Sequence, residues 1–259
     1  MNTPEAVAAQ YSTSANLDAR IQLHERFGLE PQPWSQWLLA QFDLPAQAQI
    51  LEVGCGTGKL WQATLDRLPS GWSITLTDQS AGMLAQTRAN LGDQDKRFAF
   101  EQMDVQTLTF PDATFDAVVA NHMLYHVPDL AKGLMEIERV LKPGGKLFAA
   151  TNGAEHLIEM HELVHQFDAN FAIKPWRLGF SLENGAELLA PYFHEVKLLR
   201  FHSSLRVTEA EPLVAYVRSM HMIDLTQVGE FREFVQTTLQ EQAGVIAIQR
   251  AAGLFCAMK

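Results

Sequence analysis

Glu52, Gly54, Gly56 and Gly58 stand in the run Glu52-Val53-Gly54-Cys55-Gly56-Thr57-Gly58-Lys59, after the apolar Gln49-Ile50-Leu51 and before a stretch, Leu60 to Leu68, that can be helical. Alternating glycines at a strand-to-helix turn remove the Cβ atoms from the bend, so a ligand can lie against bare backbone and the N–H groups of a helix start. The spacing is G-x-G-x-G, with the third glycine one residue earlier than the G-x-G-x-x-G of a dinucleotide site. A carboxylate at Glu52 repels a pyrophosphate and suits a cationic ligand. Asp78, at the end of the next apolar run, is placed to accept from the two hydroxyls of a ribose. Farther on, Asn121-His122-Met123-Leu124-Tyr125-His126 brings titratable rings to the end of a fourth strand.

These residues need an open α/β sheet to bring them together. From about residue 49 to 151 short apolar runs alternate with helical patterns, as parallel βαβ units require. Strands are expected at 49–54, 73–78, 97–103, 115–120 and 146–151. Leu130, Leu134, Ile137 and Leu141 recur at helical spacing between the last two, and Lys142-Pro143-Gly144-Gly145 ends that helix. Two helices, 16–27 and 33–42, precede the block as an N-terminal cover. After it come helices at 154–170 and 181–190, an alternating run 195–201, two helices between 208 and 243, and a last strand at 246–258. The expectation is one domain over 1–259: a cover (1–45), a ligand-binding core (46–152) and substrate-side helices with the last strands (153–259).

At 259 residues, with 47% hydrophobic and 19% charged, the chain has the composition of an ordinary globular protein. A net charge of -10 and no basic run argue against a surface that tracks nucleic-acid phosphates. The N-terminus lacks a signal-like pattern and no apolar stretch reaches a membrane span, so a cytoplasmic location without membrane attachment is expected. Cys55 and Cys256 are the two cysteines, too few for a disulfide framework. The sequence is silent on oligomeric state.

Several ordered motifs resemble the class I S-adenosylmethionine-dependent methyltransferases, especially the small-molecule branch similar to the quinone-biosynthesis enzymes. They are Ile50-Leu51-Glu52-Val53-Gly54-Cys55-Gly56-Thr57-Gly58, Asp78 with Met83-Leu84, Asp104-Val105, Phe110-Pro111-Asp112 with Phe115-Asp116-Ala117-Val118-Val119-Ala120, and Arg139-Val140-Leu141-Lys142-Pro143-Gly144-Gly145. The resemblance implies a Rossmann-like, mainly parallel seven-stranded sheet with helices on both faces, S-adenosyl-L-methionine as cofactor, and methyl transfer to a small-molecule acceptor at O, N or C. It implies that the backbone of Gly54, Cys55, Gly56 and Gly58 packs on the methionine part and Asp78 binds the ribose. Gln79 and Met83 would flank the adenine, Asp104 and the Val105 amide would bond it, and Asn121 and His122 would sit beside the sulfonium. Tyr11 and Arg20 would close over the cofactor from the N-terminal segment, where Arg20 and His24, four apart, share a helix face. His126 or Tyr125 would serve as general base for acceptors that must lose a proton.

His161-Glu162-Leu163-Val164-His165 offers a competing chemistry. Two histidines one helical turn apart with a glutamate between them read as a zinc hydrolase motif, for which Glu183 or Glu187 would supply the third ligand. A binding protein that keeps S-adenosylmethionine without catalysis is the other alternative.

Overall fold

The computed structural model describes residues 15–92, 95–173 and 178–259. Its strands are β1 (Gln47–Val53), β2 (Gly71–Asp78), β3 (Phe98–Gln102), β4 (Phe115–Asn121), β5 (Leu141–Asn152), β6 (His194–Val207) and β7 (Ile246–Met258). They form one sheet in the order β3-β2-β1-β4-β5-β7-β6. β1 to β5 pair in parallel, and β7 runs antiparallel to both β5 and β6. The order reverses between β1 and β4, and open α/β sheets hold ligands beyond the carboxyl ends of the strands at such a point.

The central strands are apolar nearly throughout because both faces are covered. Ala117, Val118, Val119 and Ala120 of β4 are all fully buried. Their alternation divides them between two cores. Leu51, Val53, Val118 and Ala120 pack with Leu134, Ile137 and Val140 of α5 (Leu130–Val140). Ile50, Ala117, Val119 and Phe148 pack on the other face with Leu38 of α2 (Trp34–Leu39), Leu60 and Trp61 of α3 (Lys59–Gln62), and Leu84 and Leu91 of α4 (Ala81–Leu91).

A third core lies beyond the sheet's end. It joins Leu23 and Phe27 of α1 (Ala15–Phe27), Met160 and Val164 of α6 (Ile158–Phe167), Leu213 and Val217 of α8 (Ala210–Ser219) and Phe231 and Val235 of α9 (Val228–Glu241) to Leu205, Ile246 and Ile248. This cap rests on the outer halves of β6 and β7, which pair with each other past the reach of β5.

The element types follow the sequence reading, with several bounds corrected. The helix expected at 60–68 is α3 followed by a 3-10 turn at Leu65–Arg67; Pro69 holds Leu68 extended, at φ -72 and ψ 130. The helix expected at 154–170 begins only at Ile158, after Leu157 in a left-handed conformation. The one expected at 181–190 shrinks to α7 (Gly185–Leu189), because the Asn184 side chain accepts from the Ser181 N–H at 2.7 Å and holds a turn there. β5 starts at Leu141, so Lys142 to Gly145 form an irregularity inside the strand rather than a turn before it. β6 extends to Val207, six residues past the expected end, through its pairing with β7.

Candidate functional site

The glycine run leaves β1 as a loop in which Gly54, Gly56 and Gly58 all take positive φ, at 66°, 57° and 70°. At Gly54 a Cβ would stand 2.9 Å from Cβ of Met123, so this turn can approach the end of β4 only as glycine. Asp78 secures the loop from β2. One carboxylate oxygen accepts the Gly56 N–H at 2.9 Å and the other the Ser80 N–H at 2.8 Å. Each oxygen keeps a lone pair for a hydroxyl. Burial raises the Asp78 pKa, and the two backbone bonds oppose that rise.

Glu52 does not present a fixed negative charge to this loop, which corrects the electrostatic part of the sequence reading. It is fully buried and accepts from Nε1 of Trp61 at 2.6 Å. Burial pushes its pKa to about 8, against the Trp61 bond and with help from Asp78. The carboxyl is therefore mostly protonated at pH 7. Cys55 is tucked beneath the loop, its Sγ 3.8 Å from Oγ1 of Thr87, and burial pushes its thiol far up the scale.

Beyond the loop, Met83 is buried at the start of α4, where Ser80 caps the helix by accepting the Met83 N–H. Gln79 is exposed, and its carbonyl accepts from the Gln102 amide. Asp104 caps the 3-10 turn Val105–Thr107, and the Gln106 side-chain amide lies 3.1 and 3.0 Å from its two oxygens. Val105 is buried beside it. The residues at the ends of β1, β2 and β3 thus form one rim with a hydroxyl-accepting carboxylate and apolar flanks. That chemistry fits a nucleoside cofactor.

At the end of β4 the chain turns through His122, held at φ 57°. Asn121 Oδ1 accepts from Nε1 of Trp34 at 3.2 Å, and the Trp34 ring lies 5.0 Å from His122 and 5.1 Å from Phe201. Trp37 closes this aromatic group, 5.2 Å from Trp34. Burial, then the Arg250 charge, lowers the His122 pKa to about 4.

Arg250 is the charge at the centre of the cap-side groups. Its side chain is 7% exposed and pairs with Glu30, 10% exposed, at 2.8 Å. Nη1 also reaches Oγ of Ser203, whose own hydroxyl donates to the second Glu30 oxygen at 2.6 Å. Gly28 makes room for this: a Cβ there would fall 2.5 Å from a Glu30 carboxylate oxygen. Around Arg250 stand His24 and His156, with rings 6.0 Å apart, and Tyr216, edge-on to His24 at 5.9 Å. Burial first, and Arg250 second, hold both histidines well below 6.5.

Arg20 and His24 do share a face of α1, as their spacing implied, and that face meets α8. Arg20 donates to the Ser219 hydroxyl at 3.0 Å and carbonyl at 2.7 Å. Tyr11 lies outside the described residues. Tyr125 and His126 are half-buried with rings 4.6 Å apart, and burial, with Arg20 nearby, takes His126 to a pKa of about 4. His126 is neutral at pH 7 and a weak base there.

The zinc motif gains no support. His161 packs edge-on to Phe171, His165 Nδ1 lies 2.7 Å from the Phe171 carbonyl oxygen, Glu162 is exposed, and Glu183 accepts the Ala154 N–H. Among the described residues no group of three His, Cys, Asp or Glu is placed to hold a metal.

Glu30, Trp34, His156 and Arg250 were missed from sequence. Arg250 did leave a signal. It interrupts the apolar alternation Ile246, Ile248, Ala252, Leu254 on the inward face of β7, where a charge needs a partner.

Residues 51–149 match the methyltransferase domain family. Over 211 residues the chain is 33% identical to trans-aconitate 2-methyltransferase of Methylobacterium radiotolerans, covering 76% of this chain and 77% of that protein. It is 30% identical to a ubiquinone/menaquinone biosynthesis C-methyltransferase of Cellvibrio japonicus, covering 65% and 66%. Of other curated relatives that it matches, the chain spans only 26%, 40% or 49% of the length. The fold is similar to that of phosphoethanolamine N-methyltransferase 2 of Haemonchus contortus in complex with S-adenosyl-L-methionine, with a TM-score of 0.60 at 19% identity, covering 98% of this chain and 59% of that one.

Proposed function

The chain belongs to the S-adenosylmethionine-dependent methyltransferases, and from that membership we propose that it transfers a methyl group to a small-molecule acceptor at O, N or C. The observation that carries this reading is the loop of three left-handed glycines tied by Asp78 at the reversal point of the sheet. The sulfonium supplies an activated methyl carbon: the acceptor's lone pair forms the new bond as the carbon–sulfur bond breaks, and its electrons leave on sulfur as a thioether. The protein's part is alignment and, for a protonated acceptor, removal of one proton.

Each residue has a part in this reading. Backbone of Gly54, Cys55, Gly56 and Gly58 cradles the methionine moiety, and Asp78 accepts from both ribose hydroxyls. Gln79 and Met83 flank the adenine while Asp104 and Val105 bond its edge. Asn121 and His122 lie beside the sulfonium. Glu52 acts from below the loop, where a nearby cation favours its ionised form. Arg20, with Tyr11, closes the N-terminal side, and His126 or Tyr125 takes a proton where one must leave. The reduced state of Cys55 and Cys256 accords with a cytoplasmic setting, and no described helix is long and apolar enough to cross a membrane.

Calorimetric titration with S-adenosylmethionine, S-adenosylhomocysteine and NADH tests the reading. Micromolar binding of the two sulfur nucleotides without NADH is expected. Two charge-assisted bonds to a diol contribute roughly 1.5 to 3 kcal/mol each before desolvation, so Asp78→Ala should weaken S-adenosylhomocysteine about tenfold to a hundredfold. An unchanged dissociation constant would remove Asp78 from the site.

A further inference from the structure

We infer that the methyl acceptor is a small organic carboxylate whose anionic group seats on the Nε edge of Arg250, between His24 and His122, with its apolar body against Trp34 and Phe201. This rests on the methyl-transfer reading and narrows it to a class of acceptor.

The guanidinium is only half used. Nη1 serves both Glu30 and Ser203, yet Nε, equally buried, has no hydrogen-bond partner among the described residues. A buried N–H on a cation left without an acceptor is costly, so this edge is built for an anion that comes and goes. Planar carboxylates match a guanidinium edge through two parallel bonds.

Two further nitrogens share this condition. Nδ1 of His24 and Nδ1 of His122 are buried and without partners among the described residues. Both rings are neutral at pH 7, since burial and Arg250 disfavour their charged forms. A neutral imidazole carries one N–H, on either nitrogen, so each ring can turn a donor toward an anion. Arg250 therefore lies among groups that can donate to an oxyanion, and its positive charge opposes a cationic acceptor at the same place.

The charge balance favours a monoanion. Glu30 already offsets the guanidinium charge, so a monocarboxylate leaves one net negative charge at the site and a dianionic phosphate two, and the second is the costlier to bury. The Arg250 guanidinium also lies over the Phe201 ring at 5.3 Å, and Phe201 packs on Trp34 and Trp37. An acid with a flat or apolar body has both of its ends accommodated. His122 directly follows Asn121 at the carboxyl end of β4, which puts the seated acceptor next to the cofactor's methyl group.

The test is calorimetry on the full chain, first with S-adenosylhomocysteine alone and then, saturated with it, with benzoate, phenylacetate and cinnamate, the three corresponding amides, and inorganic phosphate. At least one carboxylate should bind ten times or more tighter than its amide and tighter than phosphate. Arg250→Gln should erase that preference. Glu30→Gln frees the guanidinium of its competing anion and should strengthen carboxylate binding about fivefold or more, a gain that misfolding does not produce. Three results would each overturn the inference: no carboxylate binding, equal binding of acids and amides, or Glu30→Gln without effect on the acids. Failure to bind S-adenosylhomocysteine in the first step strikes the methyl-transfer reading instead.

Discussion

The glycine loop at the end of β1 and the Arg250 cluster beneath α1 approach each other at the end of β4, and they are made of different materials. The loop is consecutive backbone: three positive-φ glycines and one aspartate that takes two of its N–H bonds from neighbouring main chain. Around Arg250 the work falls to side chains from α1 and the segment after it, the turn after β4, the segment after β5, β6 and β7, among them Glu30 and Arg250, which are far apart in the chain. A site for a fixed cofactor tolerates no side chain in the way, so it is written as a short motif. An acceptor site is defined by side chains that differ from one enzyme to the next, so no short motif records it.

Gly54→Val breaks the first half of that contrast with the largest effect. Valine at φ 66° is a strained, left-handed β-branched residue, costing about 1 to 2 kcal/mol before its Cβ meets Met123. S-adenosylhomocysteine binding should fall more than a hundredfold while the far-ultraviolet circular dichroism stays that of the parent. Binding within threefold of the parent would mean that bare backbone is not what the cofactor needs here.

Trp34→Ala addresses the other half and should act mainly on the acceptor. The indole covers His122 and Phe201, and its Nε1 fixes Asn121. Its loss should weaken the best-binding carboxylate about tenfold and leave the S-adenosylhomocysteine constant within threefold. Equal losses for both ligands would merge the two regions into one.

This division also explains what could be read in advance. Residues 49–151 announced their strands and the helix at 130–140 because each is a local pattern, and the sheet came out with the expected strands in that block, whereas α4 had not been placed. Bounds failed where side chains compete with the backbone, as Asn184 does at 181–184, or where pairing extends a strand, as β7 does for β6. Glu30 and Arg250 were invisible because their meeting depends on register. Ser203 pairs with Arg250 across the β6–β7 ribbon, and the Gly28–Leu205 bridge brings the chain after α1 alongside. Nothing in the spacing of residues 30 and 250 encodes that.

The smallest expected effect is on stability, where the two regions should respond to pH in opposite directions. Burial raises Glu52 to about 8 in the folded state, so the native protein holds a proton that the unfolded chain has lost by then. Its contribution is complete below the unfolded value near 4.5 and is lost as pH rises to about 8. The loss is at most about 1.4 kcal/mol per pH unit, or about 2 kcal/mol between pH 6.5 and 8. His24, His122 and His156 are depressed, with burial first and Arg250 next among the causes, so they bind protons more readily when unfolded. Their contribution is complete above 6.5 and is lost as pH falls, for His122 down to about 4. Glu52→Gln keeps an acceptor for Trp61 and should flatten the fall in melting temperature from pH 6.5 to 8, by about 4 to 8 °C on the scale expected for a chain of this size. His122→Asn, a residue that tolerates the left-handed turn, should shallow the fall below pH 6.5 without altering the alkaline side. If Glu52→Gln shifted the acid limb instead, Glu52 would be ionised in the folded loop, with its pKa depressed rather than raised.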